Sequence, residues 1–507
     1  MNRVFTSYLK EQKKFDGFEG AFVFPMQKGL KKKGIAAIDF ASLYHSNIRS
    51  INASPETYRG KVLVQFYNSD GSLAPINEKN ELPFDLFDDK IAKASNVAKI
   101  LLKQPNGKRI ECDLDKLRSW IDKHGIYTAN NTIFLKHEEK WGVIAKWCEH
   151  FYNERKATKK KMLAIFHELH NASKKFTPEQ IAEKEKQEGN FNSRQGALKN
   201  MINSIYGQLG SGFSPIANID IAQSITRQGR MCNINASRFI LKRFQELYDS
   251  ELAGYSIYPL DADDPRCRQV GKISVIALGG DTDSQFVDMT CVTDYMIKKY
   301  GLPEKIKDWT QEKRQELWDI LAKFTEDEVN KYVRDLVHNY CHTNEQNVLT
   351  YELEYMCDVG IYESKKHYYV HKIFEEGDAV DKVKVTGIAL KKGETDKAMK
   401  NFLSEIYEGV VLKDWTEADY RDYITNLYEK FKTYSIDEVS FWKGYGTERE
   451  SIGFLQMAKG ATGISKACTY YNHIIAKLGL GKKYDELRVG DKTRFCYIKD
   501  TNPYGID

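Results

Sequence analysis

The sequence predicts an α+β fold, with strands and helices in separate runs, and three observations carry the prediction. Lys272-Ile273-Ser274-Val275-Ile276-Ala277-Leu278 and Gln285-Phe286-Val287-Asp288 read as strands joined by a tight Gly279-Gly280-Asp281 turn, a β-hairpin. Gly34-Ile35-Ala36-Ala37-Ile38-Asp39-Phe40 is a near-continuous apolar strand, as in a sheet covered on one or both faces. Residues 141–171, 192–206, 216–250 and 292–343 carry the apolar spacing of helices.

In chain order, residues 1–20 form a short lead-in, and Gly20-Ala21-Phe22-Val23-Phe24-Pro25 reads as a strand stopped by proline. Lys31-Lys32-Lys33 reads as a solvated loop. After Asp39, the spacing of Leu43, Tyr44 and Ile48 predicts a helix over residues 41–49. Residues 61–141 alternate apolar runs with turn clusters such as Asn68-Ser69-Asp70-Gly71, which fits several short strands and a helix or two without chemistry. The helix over 141–171 contains Arg155-Lys156-Ala157-Thr158-Lys159-Lys160-Lys161. A second, over 192–206, aligns Gln195, Lys199, Asn203 and Tyr206 on one face and is ended by Gly207 and Gly210. With the charged stretch 172–191 as connector, the pair makes a helical hairpin presenting positive charge, which suits a nucleoside triphosphate. The next helical region carries Ile219, Ile225, Phe239 and Phe244, with Arg227 and Arg230 inside it, and residues 292–343 read as amphipathic scaffold. In residues 349–356, Tyr351, Leu353 and Tyr355 fall on one side of a strand and Glu352 and Glu354 on the other. Lys365-Lys366-His367-Tyr368-Tyr369-Val370 reads as a strand with a basic start and aromatic body, suited to a nucleic-acid backbone and equally to a plain edge strand. From Gly387 onward the chain is helix-rich, with basic patches (Lys391-Lys392, Lys397, Lys400, Lys459, Lys466, Lys482-Lys483) that read as backbone contacts or as solubilising charge.

Composition narrows the class. A chain of 507 residues permits two to four domains or one large multi-lobed enzyme, and 41% apolar residues supply real cores. No apolar run approaches the roughly twenty residues of a membrane span, and residues 1–20 lack a signal-peptide core. Nine scattered cysteines without a CxxC pair read as reduced, mostly buried thiols of a cytosol-like compartment, not as zinc ligands. A net charge of +5 points only weakly to a polyanionic partner.

Three features carry candidate chemistry. Asp281 and Asp283, two residues apart on a hairpin tip, supply the oxygen ligands that hard divalent cations take, or make an ordinary polar turn. Asp39 ends a buried strand just before a helix, where an acid is costly unless paired, metal-bound or exposed as an N-cap. Arg155 and Lys159, at i and i+4, repel unless an anion sits between them or solvent screens them.

At this point the sequence resembles family B DNA polymerases. Asp39-Phe40-Ala41-Ser42-Leu43-Tyr44-His45-Ser46 resembles their first palm motif, DxxSLYPS. Lys199-Asn200-Met201-Ile202-Asn203-Ser204-Ile205-Tyr206-Gly207 matches the finger motif KxxxNSxYG, and Gly280-Asp281-Thr282-Asp283-Ser284 the second palm motif, GDTDS. Lys365-Lys366-His367-Tyr368 is similar to KKRY, and all four stand in family order. Ile51-Asn52-Ala53-Ser54-Pro55-Glu56-Thr57 and Asn502-Pro503-Tyr504-Gly505 are similar to replicative members of the T-even-phage type.

The resemblance implies a right hand: an antiparallel-sheet palm over residues 20–141 and 212–387, helical-hairpin fingers over 142–211, and a mostly helical, incomplete thumb over 388–507. It implies a DNA-dependent DNA polymerase subunit that adds dNTPs to a primer on template DNA during phage genome replication, in the host cytoplasm. Two Mg²⁺ ions about 3.5–4 Å apart, with Mn²⁺ as a substitute, would stabilise the attacking and leaving oxygens. The ligands it implies are Asp39, Asp283 and the Phe40 carbonyl, with Asp281 and Glu354 secondary. Lys199, Arg155 and Lys159 would contact the triphosphate, which would then be the anion between the two cations. The amides of Ser42 and Leu43 would cradle phosphate, Tyr44 would exclude a 2′-hydroxyl, and Asn203 would support Tyr44 or the nucleotide. Tyr206 and Gly207 would meet the nascent pair, and Lys365, Lys366 and Tyr368 the primer strand.

Departures from the pattern carry expectations too. His45 replaces a proline, which predicts a looser turn after Tyr44; His367 replaces an arginine, which predicts a weaker primer contact; Gly279 stands where many members have a side chain. Asp39 stands too near the first residue for the family's N-terminal and exonuclease domains, so the expectation is a split polymerase with proofreading on another polypeptide, although a truncated chain would read the same. A remaining thumb fragment and a sliding clamp are further implied partners. The alternative class is a catalytically silent polymerase-like subunit that binds DNA or scaffolds a replisome. The intact Asp39, Asp283 and Lys199 weigh against it, and Tyr44 and the finger motif weigh against an RNA-making or RNA-templated enzyme.

Overall fold

The computed structural model describes residues 28–76, 84–172, 176–248, 257–259, 274–276, 280, 283–343, 348–445 and 463–496. The chain divides into two compact units, one of residues 1–27, 33–358 and 373–380, the other of residues 28–32, 359–372 and 381–507. Helices and antiparallel strands make up both, an α+β fold.

The elements that build the site are β1 (Ile35–Phe40), α1 (Leu43–Ser50), α2 (Val143–Ala172), α3 (Pro178–Gly210), α4 (Ile219–Tyr248), β2 (Ser284–Asp288), β3 (Tyr351–Ser364), β4 (His367–Glu375) and β5 (Asp378–Thr386). In the first unit β1 is central, antiparallel to β2 on one side and β3 on the other. That position explains its unbroken apolar run: Ile35, Ala36, Ala37 and Ile38 are fully buried. One core joins Ala36 and Ile38, on one face of β1, to Ile221, Ile225, Cys232, Ile240 and Phe244 of α4. Helix α1 seats on α4 at Gly229, where a Cβ would lie 3.0 Å from Leu43 Cδ2 and 3.1 Å from Asn47 Nδ2. Asn47 Nδ2 donates to the Ile225 carbonyl (3.2 Å), which fixes the approach.

Residues 58–135 form a separate five-stranded antiparallel sheet with the helix Leu114–His124 packed on it, as the alternating apolar runs predict. The helical hairpin is present, but α3 is longer than its apolar spacing suggests. It begins at Pro178, where Thr177 and Gln180 form a capping box behind a proline in the first turn. Most of the stretch assigned as a charged connector is therefore helix. Gly207 does not end α3 but lies within it, and Gly210 is its last residue. A glycine inside a helix whose other face packs Leu198, Ile202 and Leu209 into the core costs only about 1 kcal/mol, too little to break it.

Of the hairpin expected over residues 272–288, the described parts are strands: Ser274–Ile276 pairs with Ile257–Pro259, and Ser284–Asp288 pairs with β1. The turn residues Gly279, Asp281 and Thr282, the expected strand at residues 20–25, and Asn502 to Gly505 lie outside the described residues. The eight described cysteines are free thiols. Among the described residues no helix is long and apolar enough to cross a membrane.

In the second unit Gly29–Lys31 is a short strand on the outer part of β3, with Gly29 opposite Tyr362, so Lys31, expected in a solvated loop, ends a strand. Helices Lys397–Val411, Glu417–Phe431 and Gly463–Lys477 follow. A small core of Val359, Tyr369, Ile388, Tyr407 and Val411 holds the first of them to the strands. Lys365 and Lys366 do not open a strand; they are the turn between β3 and β4. Lys366 adopts φ 60°, and Gly387 (φ 62°) packs so close that a Cβ there would lie 1.9 Å from the Lys366 carbonyl oxygen. Tyr368 is 6% exposed, its ring 5.7 Å from that of Tyr362, so its aromatic body serves the sheet.

Candidate active site

The ladder around β1 gathers the acids. Ser284 of β2 lies opposite Asp39, and Glu352 of β3 lies opposite Asp39 on the other side. Directly opposed residues of antiparallel strands project to the same face, so Asp39, Ser284 and Glu352 share one. Asp283 immediately precedes β2, and its carbonyl accepts from the Phe40 amide at 3.0 Å. A register shift between Leu353 and Tyr355 makes Glu354 a bulge residue, a device that re-aims a side chain at a sheet edge or site.

Beneath this face lies a buried polar network. Gln285 Nε2 donates to the Asn233 carbonyl (2.9 Å) and to the Tyr351 hydroxyl (2.8 Å), and that hydroxyl donates to Asn233 Oδ1 (2.8 Å). The Tyr351 ring stacks on Phe40, centroids 3.7 Å apart. Burial pushes the Tyr351 phenol well up, and the nearby carboxylates of Asp39 and Asp283 push it further. Tyr351 thus stays a neutral donor that ties β2, β3 and α4 together under the acids.

Past β1 the chain turns through Ser42, whose φ of 58° is left-handed for a residue with a side chain. Ser46 Oγ donates to the Ala41 carbonyl (2.8 Å) and the Ala41 amide to the Thr350 carbonyl (2.9 Å), which hold the turn. Helix α1 then starts with its N-terminus at the cavity, a partial positive charge aimed at it. His45 lies in α1, its amide donating to the Ser42 carbonyl at 3.1 Å, so the turn after Tyr44 is a regular helical turn and not the looser one its replacement of proline suggests.

The cavity that results is about 480 Å³, within the range of small-ligand sites. Asp39, Asp283, Glu352, Glu354 and Glu376 line it together with Arg155, Lys156, Lys159 and Lys199. Phe40, Ser42, Leu43, Tyr44, Asn203 and Tyr206 complete the predicted set there. Arg155 Nη1 donates to Ser42 Oγ (3.1 Å), and Lys159 Nζ pairs with Glu376 Oε1 (2.7 Å). The i, i+4 repulsion is thus relieved within the chain itself. Tyr44 stacks on Tyr206, centroids 4.4 Å apart and planes 21° off parallel. Of the predicted residues, Gly207 is not among those lining the cavity, Asp281 lies outside the described residues, and Lys365, Lys366 and Tyr368 belong to the second unit. Sequence reasoning missed Glu352 as a site residue, although alternation had set it beside Glu354, because only the register shows it opposite Asp39. Glu376 was missed because its partner is 217 residues away.

His45 is 3% exposed. Burial pushes its imidazole down to about 4; a main-chain contact with Ile202 favours the proton, and the Arg155, Arg49 and Lys199 cations disfavour it. The folded group is held below its unfolded value of 6.5, so its contribution to stability is complete above pH 6.5 and is lost as pH falls toward 4. That linkage is worth about 3 kcal/mol. The urea midpoint of the chain is expected to fall across this window, and His45→Asn to flatten the fall; an equally steep fall in the variant would remove His45 as the cause.

Among the described residues no group of three or more His, Cys, Asp or Glu side chains is gathered for a metal. Mg²⁺ commonly takes one or two carboxylates and completes its shell with phosphate oxygens and water. Asp39 and Asp283 with the neighbouring Phe40 carbonyl are an all-oxygen set of that kind, so the residues present fit the ion. Five carboxylates and four Lys or Arg cations in one cavity are charges that suit a phosphate-rich anion with its counter-ions.

The comparisons agree with that class. Residues 2–314 match the family model DNA polymerase family B, and the chain belongs to that family. It is similar to the DNA-directed DNA polymerase of Enterobacteria phage T4, at 23% identity over 510 residues, covering 96% of this chain and 50% of that protein. A DNA polymerase of Paramecium bursaria Chlorella virus NY2A is 24% identical over 404 residues, 78% of this chain and 31% of that protein. A DNA polymerase beta of African swine fever virus is 26% identical over 236 residues, 45% of this chain and 16% of that protein. The chain thus spans half or less of the relatives it matches.

Proposed function

We propose that this chain is the polymerase part of a DNA-dependent DNA polymerase, extending a primer 3′-hydroxyl with dNTPs on template DNA in phage genome replication, in the host cytoplasm. The observation that carries the reading is one cavity in which Asp39 and Asp283 face Lys199, Arg155 and Lys159, in a chain of this family. Residues 20–141 and 212–387 would form the palm, 142–211 the fingers and 388–507 the thumb.

Asp39, Asp283 and the Phe40 carbonyl would hold two divalent ions, with Asp281 and Glu354 nearby as weaker ligands. When bound, such ions supply charge stabilisation for the attacking and leaving oxygens of phosphoryl transfer. The chain's own groups do the rest. Lys199, Arg155 and Lys159 neutralise the triphosphate and the charge that develops on pyrophosphate. The first amides of α1 point at the same place and hold phosphate oxygens without side-chain entropy. Tyr44, braced by Tyr206, forms a flat floor under the sugar. Asn203, one turn beyond Lys199, supports that floor or the nucleotide. Lys365 and Lys366, on an exposed turn, would hold the primer strand as charges, with Tyr368 acting from within the sheet.

Primer extension with dNTPs and Mg²⁺, with and without a candidate exonuclease polypeptide, tests the reading; a chain that binds primer–template yet never extends it is the silent DNA-binding subunit instead. The intact carboxylate pair and Lys199 support catalysis. Tyr44→Ala is expected to raise ribonucleotide incorporation about ten- to a hundredfold, the scale of a steric exclusion. Unchanged sugar selectivity in a single-nucleotide insertion assay would take that role away from Tyr44.

A further inference from the structure

Helix α2 is fastened at two points to one acidic turn. Lys159 Nζ lies 2.7 Å from Glu376 Oε1, and His167 Nδ1 lies 2.8 Å from Asp378 Oδ2. Residues 159 and 167 are about two turns apart, so they share a helix face. Glu376, Gly377 and Asp378 stand where β4 turns into β5, and Glu376 itself adopts φ 52°. A left-handed φ on a residue with a side chain is a strained choice that the surrounding structure must hold. Here the Glu376 amide donates to the Glu354 carbonyl (3.0 Å), which fixes the turn to the strand carrying Glu352 and Glu354. The carboxylate so placed lines the same cavity as Asp39, Asp283, Arg155 and Lys199.

We propose that Glu376 is a built-in phosphate surrogate: in the nucleotide-free chain its carboxylate occupies Lys159, and an incoming dNTP binds by displacing it. This rests on the reading above that the cavity takes a nucleoside triphosphate. Carboxylate and phosphate oxygens are interchangeable acceptors for an ammonium group, and the triphosphate carries the larger charge. Five acids and four Lys or Arg side chains line the cavity, so cations left bare beside a metal-binding acid pair would be free to collapse onto Asp39 or Asp283. Glu376 keeps Lys159 engaged and away from them. The consequence is weakened nucleotide affinity, because every dNTP must first break an existing ion pair. Both partners are about a third exposed, so the pair is screened and its loss is worth about a two- to fivefold change.

The test uses the full chain on a dideoxy-terminated primer–template, which permits binding without reaction, with the next complementary dNTP and Mg²⁺ as the probe. Glu376→Gln is expected to lower the dNTP Kd about two- to fivefold. Asp378→Asn loosens the same helix without touching Lys159 and is expected to leave the Kd within about twofold. An unchanged or raised Kd in Glu376→Gln overturns the surrogate, and so does an equal drop in Asp378→Asn, which would mean that helix anchoring and not competition sets affinity. A wild-type chain that binds no dNTP overturns the functional reading itself, and the surrogate with it.

Discussion

Asp39→Ala and Asp283→Ala are each expected to lower primer extension by at least about a thousandfold while leaving primer–template affinity and thermal stability intact. The size follows from the role proposed for the two side chains. Removing one charge-stabilising group from a reacting centre costs on the order of 10²–10³ in rate, and in the proposed function each of these acids would supply a ligand of a two-carboxylate centre. Stability survives because β1 is held by its main chain: Asp39 lies between Ser284 and Glu352 in an antiparallel ladder that alanine does not disturb. Asp39 and Asp283 are only partly buried, so truncation opens no core cavity. Single-turnover extension and fluorescence anisotropy on the same samples check both halves. Normal extension by either variant would end the assignment of the acid pair.

Lys199→Ala is expected to lower kcat/KM for dNTP insertion by about 10²–10³, a loss comparable to that of one oxyanion donor. Lys199 of α3 lines the cavity with Asn203, Tyr206 and the acids, and Leu198 and Ile202 anchor the helix in the core behind it. Lys199 is itself exposed, within reach of a phosphate in the cavity, and its charge is felt by buried His45. Lysine contributes a point charge that follows the phosphate as bonds change, so Lys199→Arg is expected to recover only part of the loss. Rapid-quench insertion kinetics measure it; an unchanged kcat/KM in the alanine variant would remove Lys199 from the reaction.

The element types were written locally. The apolar run of β1, the 3.6-residue spacing of α2 and α4 and the alternation in Tyr351–Met356 each depend on neighbours a few residues away, and each element formed where its pattern stands. Boundaries were less legible. The start of α3 was missed although Thr177-Pro178-Glu179-Gln180 spells a capping box, because the charged run behind it has no apolar stripe to draw attention. Gly207 was given a terminating role it lacks, since a helix held by one packed face tolerates a glycine on the other.

The site was legible where a residue type is unusual for its local setting: an acid ending a buried strand, an amide-and-ammonium stripe on a helix. Asp39, Lys199 and Arg155 were singled out that way, Tyr44 only by the motif resemblance, which implied the roles of all four. Glu352 and Glu376 were not, because each has its meaning only from a residue far along the chain. Register sets Glu352 beside Asp39, and a turn between two strands delivers Glu376 to Lys159. By itself, then, the sequence determined which side chains could do chemistry and which elements carry them, since composition and periodicity are local. The tertiary structure decided which charges meet. An ion pair across 217 residues depends on strand order and helix packing, and no local pattern encodes either.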